Sequence, residues 1–341
     1  MSELINKGLE HFKDVLKAEI EYQNTIFTIK PANIWIDEAK SRPVPKMLFG
    51  EFWFEGELCI LFADTNLGKS ILAVQIANSI SIGNSICGLK LECLPSPIIY
   101  FDFELSDKQF ENRYSENFTN HYLFNSNFLR AEINPDNEMP KSFESFEDFL
   151  YHSLEQSVKN GKVKVLIIDN ITYLKNETEK AKDALPLMKF LKELKNKYSL
   201  SILALAHTPK RDLTRPINKN DLSGSKMLMN FCDSSFAIGE SFQNKGLRYL
   251  KQIKQRNTEQ IYDSENVIIC QIEKINSFLQ FSFLEYGDEN EHLKQKSEQD
   301  GTQRDIEILE LKKLGLANTE IAKRLCISEG TVRNVIKKNI Q

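Results

Sequence analysis

Residues Ala63-Asp64-Thr65-Asn66-Leu67-Gly68-Lys69-Ser70 lie between an apolar run and an amphipathic one. Their spacing is that of G-x-x-x-x-G-K-[ST], with alanine at the first glycine. A loop of this kind turns consecutive backbone N–H groups around a β-phosphate, at a helix N-terminus whose dipole favours anions. Gly68 lets the backbone approach without a Cβ. Lys69 is placed to reach the β- and γ-phosphates, and the Ser70 hydroxyl to sit on Mg2+. Ala63 is the expected weak point, because alanine resists a positive φ by about 1 kcal/mol. A chance GKS at a helix start is the plain alternative.

Two further segments end in carboxylates. Val165-Leu166-Ile167-Ile168-Asp169 has the form of a Walker B strand. A parallel sheet gathers the C-terminal ends of its strands at one rim, so Asp169 is expected beside the loop, holding Mg2+ through a water or through Ser70. An aspartate after a strand is also a common turn residue. The run from Ile98 to Glu104 ends in Asp102 and Glu104, with Ser106 capping the next helix. Alternation puts both carboxylates on one face near the rim. Glu104, further along, is read as the base for the water that attacks a γ-phosphate, against the alternative of a helix-entry charge.

These residues need a scaffold, and the alternation of short apolar runs with longer helical patterns supplies one: an α/β fold with a mainly parallel sheet. Strands are expected at Leu58–Phe62, Ile98–Phe103, Val163–Asp169 and Ser201–Ala206, apolar enough to be buried on both faces. Helices are expected at Lys69–Ile80, Asp107–Tyr114, Phe143–Lys159 and Lys180–Tyr198. Ser235–Ile238, Leu247–Gln255, Asn266–Ile272 and Leu279–Leu284 then follow as consecutive strands, an antiparallel extension of the sheet. The expected organisation is an N-terminal adaptor (1–47), a core (48–286), a polar linker (287–301) and a small all-α domain (302–341). No repeat of solenoid type interrupts this order.

Composition narrows the class. With 41% hydrophobic and 27% charged residues, and Phe alone contributing 22 of 341, whole-chain disorder is excluded. The first residues are charged, and the longest uncharged run, from Ser70 to Leu89, is too polar for a membrane span, so a cytoplasmic protein without membrane contact is expected. Six cysteines show no C-x-x-C pair, which argues against a zinc or disulfide framework. The net charge of −4 conceals a basic tail: residues 301–341 carry eight Lys+Arg against five Asp+Glu. A basic tail on an acidic body suggests nucleic acid as its partner.

In that tail Ile306, Leu309, Leu314, Ile321, Leu325, Val332 and Ile336 are expected to face a common core of three helices. Asn318 or Thr319 would cap the second helix and Ser328 the third, across a short turn Leu325-Cys326-Ile327. The stretch from Gly315 to Arg333 resembles the LuxR-type helix-turn-helix, G-x-x-N-x-E-I-A-x-x-L-x-I-S-x-G-T-V-[KR]. The third helix would then enter the major groove, with Thr331, Arg333, Asn334 and Lys337 as contacts to bases or phosphates. A protein-binding three-helix module is the alternative.

The segments ADTNLGKS, FDFELSD, LIIDN, LALAHTPKR and KQRN, in that order, resemble the RecA-like P-loop ATPases, in particular the hexameric branch of DnaB-type and plasmid RepA-type helicases. The resemblance covers roughly Gly50 to Leu284. It implies ATP and Mg2+, Glu104 as the residue activating water, His207 as a γ-phosphate sensor, and Lys254 with Arg256 serving the nucleotide of a neighbouring subunit. It also implies a homo-oligomer, a hexamer in that branch. The loop Thr208–Ser225, with Lys210, Arg211, Arg215, Lys219 and nearby Lys226, would hold single-stranded DNA, helped by Gly224-Ser225. Double-stranded DNA would meet the tail. The implied activity is that of an ATP-hydrolysing motor in replication or mobilisation of a mobile element; an ATP-switched DNA-binding regulator is the alternative.

Overall fold

The computed structural model describes residues 27–134, 136–174, 184–209, 211–222, 225–295, 298–325 and 327–339. It divides into a unit ending at Lys46 and a larger unit from Met47 onward. In the first, helix α1 (Ala32–Lys40) follows Pro31 and has no buried residue. Lys30 braces it, pairing with Glu38 at 2.7 Å and lying 5.3 Å from the Trp35 ring centroid.

The larger unit opens with β1 (Met47–Phe49), β2 (Trp53–Phe54), β3 (Leu58–Ala63), α2 (Lys69–Ile82), β4 (Ile98–Asp102) and α3 (Asp107–Arg113). A small ribbon, β5 (Ser115–Glu116) and β6 (Asn120–His121), leads to β7 (Phe128–Ala131), α4 (Phe146–Gly161), β8 (Val165–Asp169), α5 (Ala184–Tyr198) and β9 (Ser201–His207). After α6 (Ser225–Phe231) come four strands in succession: β10 (Ser234–Glu240), β11 (Leu247–Lys254), β12 (Val267–Ile275) and β13 (Phe278–Gly287). The chain closes with α7 (Glu298–Lys313), α8 (Asn318–Arg324) and α9 (Glu329–Asn339).

The main sheet has nine strands in the order β13-β12-β11-β10-β3-β9-β8-β4-β7. It is parallel from β10 through β7 and antiparallel from β10 outward to β13. Alternation along β3 sends Cys59 and Leu61 to one face, where α2 packs, and Leu58, Ile60 and Phe62 to the other, under α4 and α5. Both faces are covered, which is why the central strands read as unbroken apolar runs. The buried amide of Gln75 exchanges two hydrogen bonds of 2.9 Å with the backbone of Phe281, joining α2 to β13. Among the described residues, no helix is long and apolar enough to cross a membrane.

The structure departs from the sequence expectations in several places. β7 adds a short edge strand that composition does not reveal. α4 begins at Phe146, not Phe143, because Ser145 accepts from Asp148 N at 3.0 Å and caps it. The expected start of α5 at Lys180 lies outside the described residues. The segment after Gly287, expected to be a solvated linker, starts with a packed turn: Glu289 is fully buried and pairs with Lys251 at 2.5 Å. In the tail, the core holds Ile308, Leu311, Ile321, Ala322, Val332 and Val335, whereas Ile306 is 44% and Leu314 75% exposed. Ile306 lies off the stripe through Ile308 and Leu311, and Leu314 sits past the end of α7 in the turn made by Gly315 (φ 86°). The N-cap of α8 is likewise Ala317, whose N–H donates to Glu320 at 3.1 Å, with Asn318 already helical.

Candidate functional site

The loop after β3 is shaped by its glycine. Left-handed backbone falls on Asn66 (φ 62°) and Gly68 (φ 94°), while Ala63 completes β3 as the register partner of His207. The expected weakness at Ala63 therefore does not arise: a strand residue with no positive φ suits alanine. Gly68 is required for packing as well as conformation, since a Cβ there would lie 2.7 Å from Ile272 and 3.0 Å from Phe281. No side chain caps α2 at Gly68, which leaves its first N–H groups to a ligand. Lys69 is 7% exposed and folds back over the loop, donating to Ala63 O at 2.9 Å and Asp64 O at 3.0 Å. Burial pushes its ammonium below the usual lysine range, with Asp169, Glu104 and Asp64 pulling it back.

Asp169 ends β8 opposite Asp102 of β4. It is 1% exposed, and Tyr100 Oη donates to its Oδ2 at 2.6 Å. Burial pushes its carboxyl up to about 6, against the Ser70 and Tyr100 hydroxyls. Among the described residues, neither Asp169 Oδ1 nor His207 Nδ1, both buried, has a hydrogen-bond partner. Orphaned polar atoms of this kind are costly unless water or a ligand completes them. An orphaned carboxylate oxygen beside a serine, facing a lysine at a helix start, fits Mg2+ and a phosphate chain. Ser70 and Asp169 are the residues that would hold the metal.

β4 stops at Asp102, so the expected shared face for Asp102 and Glu104 is not observed. Asp102 turns to Arg130 of β7, which donates to it at 3.0 Å and also to Asp107 and Leu105 O, and Asp102 Oδ1 receives the Leu105 amide at 2.9 Å. Asp102 thus shapes the turn that carries Glu104. Glu104 itself meets Asn170 Nδ2 and lies 3.4 Å from His207 Nε2. Hydrogen bonding to His207 holds its carboxyl below the usual range, assisted by Lys69 and Asn170 against partial burial. A cavity of about 220 Å3, lined by Phe103, Ser106, Glu132 and Tyr173 among others, opens beside Glu104.

The structure brings Lys69, Ser70, Asp169, Glu104 and His207 to one rim. Sequence reasoning missed Tyr100, Arg130 and Asn170. A tyrosine in a strand buried on both faces signals a hydroxyl that must find a partner, and Asn170 two residues before Thr172 is the pattern of an Asx turn. Lys254 and Arg256 lie at the opposite rim, where β3 begins, about 17 Å along a six-residue strand. There Lys254 donates to Met229 O and Cys232 O at 2.5 and 2.7 Å, and Arg256 pairs with Asp233 at 3.1 Å. They have no part in their own chain's site.

In the loop after His207, Arg215 grips buried Asp221 at 2.6 Å and Arg211 donates to Arg215 O at 2.9 Å, so both serve the loop's own fold; Lys219 is exposed. Lys210 and Gly224, and the side chains of Ser225 and Lys226, lie outside the described residues. On α9, Arg333, Asn334 and Lys337 are exposed, while Thr331 is half-buried in the cap formed with Ser328 Oγ at 3.1 Å. Cys326, in the expected turn, lies outside the described residues.

A family model described as an AAA domain matches residues 26–212. A second, described as bacterial regulatory proteins of the luxR family, matches residues 302–341. Comparison with curated proteins gives no match.

Proposed function

The chain belongs to the AAA domain family, and from that premise we propose that it hydrolyses Mg·ATP while associated with DNA, as an oligomeric RecA-like motor of the RepA kind. The observation that supports this reading best is the meeting of Lys69, Glu104, Asp169 and His207 at one rim, with two buried atoms there that have no partner among the described residues. Lys69 binds the β- and γ-phosphates once its bonds to Ala63 and Asp64 are exchanged. Glu104, kept ionised by its neighbours, accepts a proton from the attacking water as the new P–O bond forms and the bond to the bridging oxygen breaks. His207 contacts the γ-phosphate. Ser70 and Asp169 would hold Mg2+, which would supply charge neutralisation when bound. Arg256, outside its own site and about half exposed, is available to a neighbouring subunit. Arg333, Asn334 and Lys337 meet duplex DNA, and a ring of several such tails gains avidity.

A second reading is favoured by the luxR-family match: ATP switches the oligomeric state of a regulator, with no unwinding. ATP turnover with and without single-stranded DNA separates the two. The motor reading expects stimulation by DNA, loss of turnover by about a hundredfold or more in Glu104→Gln with ATP still bound, and loss in Arg256→Ala restored by mixing with Lys69→Ala subunits. Turnover indifferent to single-stranded DNA favours the regulator. Absence of turnover in wild type removes the hydrolysis reading altogether.

A further inference from the structure

Glu104 stands beyond the end of β4, on a turn whose backbone Asp102 fixes, but Asp102 does not touch the Glu104 carboxylate. Of the groups that do, one is an amide whose orientation is determined. Asn170 is 5% exposed and follows Asp169 directly. Its Oδ1 accepts the Thr172 N–H at 2.8 Å, a bond that only the oxygen end of the amide can make. The NH2 end must therefore face the rim, where it meets Glu104 Oε1 and lies 3.0 Å from His207 Nε2. Reversing the amide would set an oxygen against the Glu104 carboxylate and an NH2 against the Thr172 N–H. One side chain is thereby locked from beneath by the backbone, with its NH2 end turned to Glu104 and to His207, the two groups proposed to act on the γ-phosphate side.

We propose that Asn170 is the positioning residue of this site: its amide, anchored on Thr172, holds the Glu104 carboxylate and the His207 imidazole in register with each other. Its role in turnover rests on the hydrolysis reading above; its hold on the two side chains does not. Asn170 spans the ends of β4, β8 and β9 at their C-terminal rim, so a small displacement of β8 moves base and sensor together. Misplacing a reacting group by about 1 Å costs on the order of a hundredfold in rate.

The test compares two substitutions that a structural role and a positioning role rank oppositely. Asn170→Asp keeps the size and the acceptor for Thr172 but cannot donate; Asn170→Ala loses both. Positioning predicts that kcat falls by about a hundredfold in Asn170→Asp, at least as far as in Asn170→Ala, with KM for Mg·ATP within about twofold of wild type. A structural role predicts a mild Asn170→Asp and a severe Asn170→Ala, and that ranking would overturn the proposal. A second readout needs no turnover. In the imidazole 1H–15N spectrum of nucleotide-free protein, with His207→Gln assigning the signal, Asn170→Asp is expected to displace His207 and leave the other histidines in place. An unmoved His207 signal would overturn the proposal, whether or not the wild type hydrolyses ATP.

Discussion

Two aspartates end up at opposite rims of the nine-stranded sheet, Asp169 buried and Asp233 partly exposed, and they are treated in opposite ways. Asp169, at the rim beside Lys69, has one partnered oxygen and one without a partner among the described residues, and burial drives its carboxyl up to about 6. Asp233, where β3 begins, is also pushed up by burial, but the Leu58 amide, Lys195 and Arg256 outweigh it and hold the carboxyl below its usual range. Around Asp233 the polar groups close on one another: Lys254 on two carbonyls, Asn257 on Glu57 at 2.8 Å, Ser234 on Glu57 at 2.7 Å. Charge that is satisfied within the chain stabilises the fold. Charge left incomplete costs stability and is retained for something that binds.

The difference is breakable by mutation. Asp233→Ala leaves Lys195 and the Leu58 amide without their partner and should destabilise by about 3 to 5 kcal/mol in denaturant unfolding. A loss under about 1 kcal/mol would place the closed rim among ordinary surface pairs. Because the Asp233 carboxyl lies lower in the folded chain than in the unfolded one, its contribution is present above the unfolded value and lost as pH falls through the folded one. Asp169 has the reverse sign. Its folded carboxyl, at about 6, is above the unfolded value, so its penalty is present at neutral pH and is relieved as pH falls from about 6 towards 4. Asp169→Asn should accordingly stabilise the nucleotide-free chain at pH 7.5 by up to about 3 kcal/mol and remove that pH dependence. Destabilisation by the same change would mean that Asp169 is a structural partner of Tyr100 and little more. The smallest stability effect belongs to Arg256→Ala, within about 1 kcal/mol, since Arg256 is about half exposed. A larger loss would make its bond to Asp233 its purpose and weaken the intersubunit assignment.

Much of this arrangement is legible in the sequence, for one physical reason: parallel strands deliver their C-terminal ends to a common rim, so Ser70, Asp169, Glu104 and His207 converge once their strands are recognised. What escaped depends on lateral contacts that linear order does not carry. Asp102 obeys strand alternation only if β4 continues past it, and Arg130 from β7, a four-residue edge strand, ends that continuation. Asn170 reads as a turn residue; its grip on Glu104 needs β4 and β8 side by side. Glu289 sits in a polar stretch that reads as linker, and only the buried Lys251, with Ile217 and Tyr249 also bonded to Glu289, draws it inward. The exposure of Leu314 follows from where α7 ends, and helix ends are set within a residue or two by caps such as Gly315.

Calorimetric titration with Mg2+ and a non-hydrolysable ATP analogue, on wild type, Lys69→Ala and Asp169→Asn, reads out whether the rim around Lys69 binds Mg·ATP. Wild type is expected to bind saturably, and both variants more weakly by about tenfold or more, each losing a charged partner of the ligand. No binding to wild type, or equal affinity in all three proteins, would contradict this expectation.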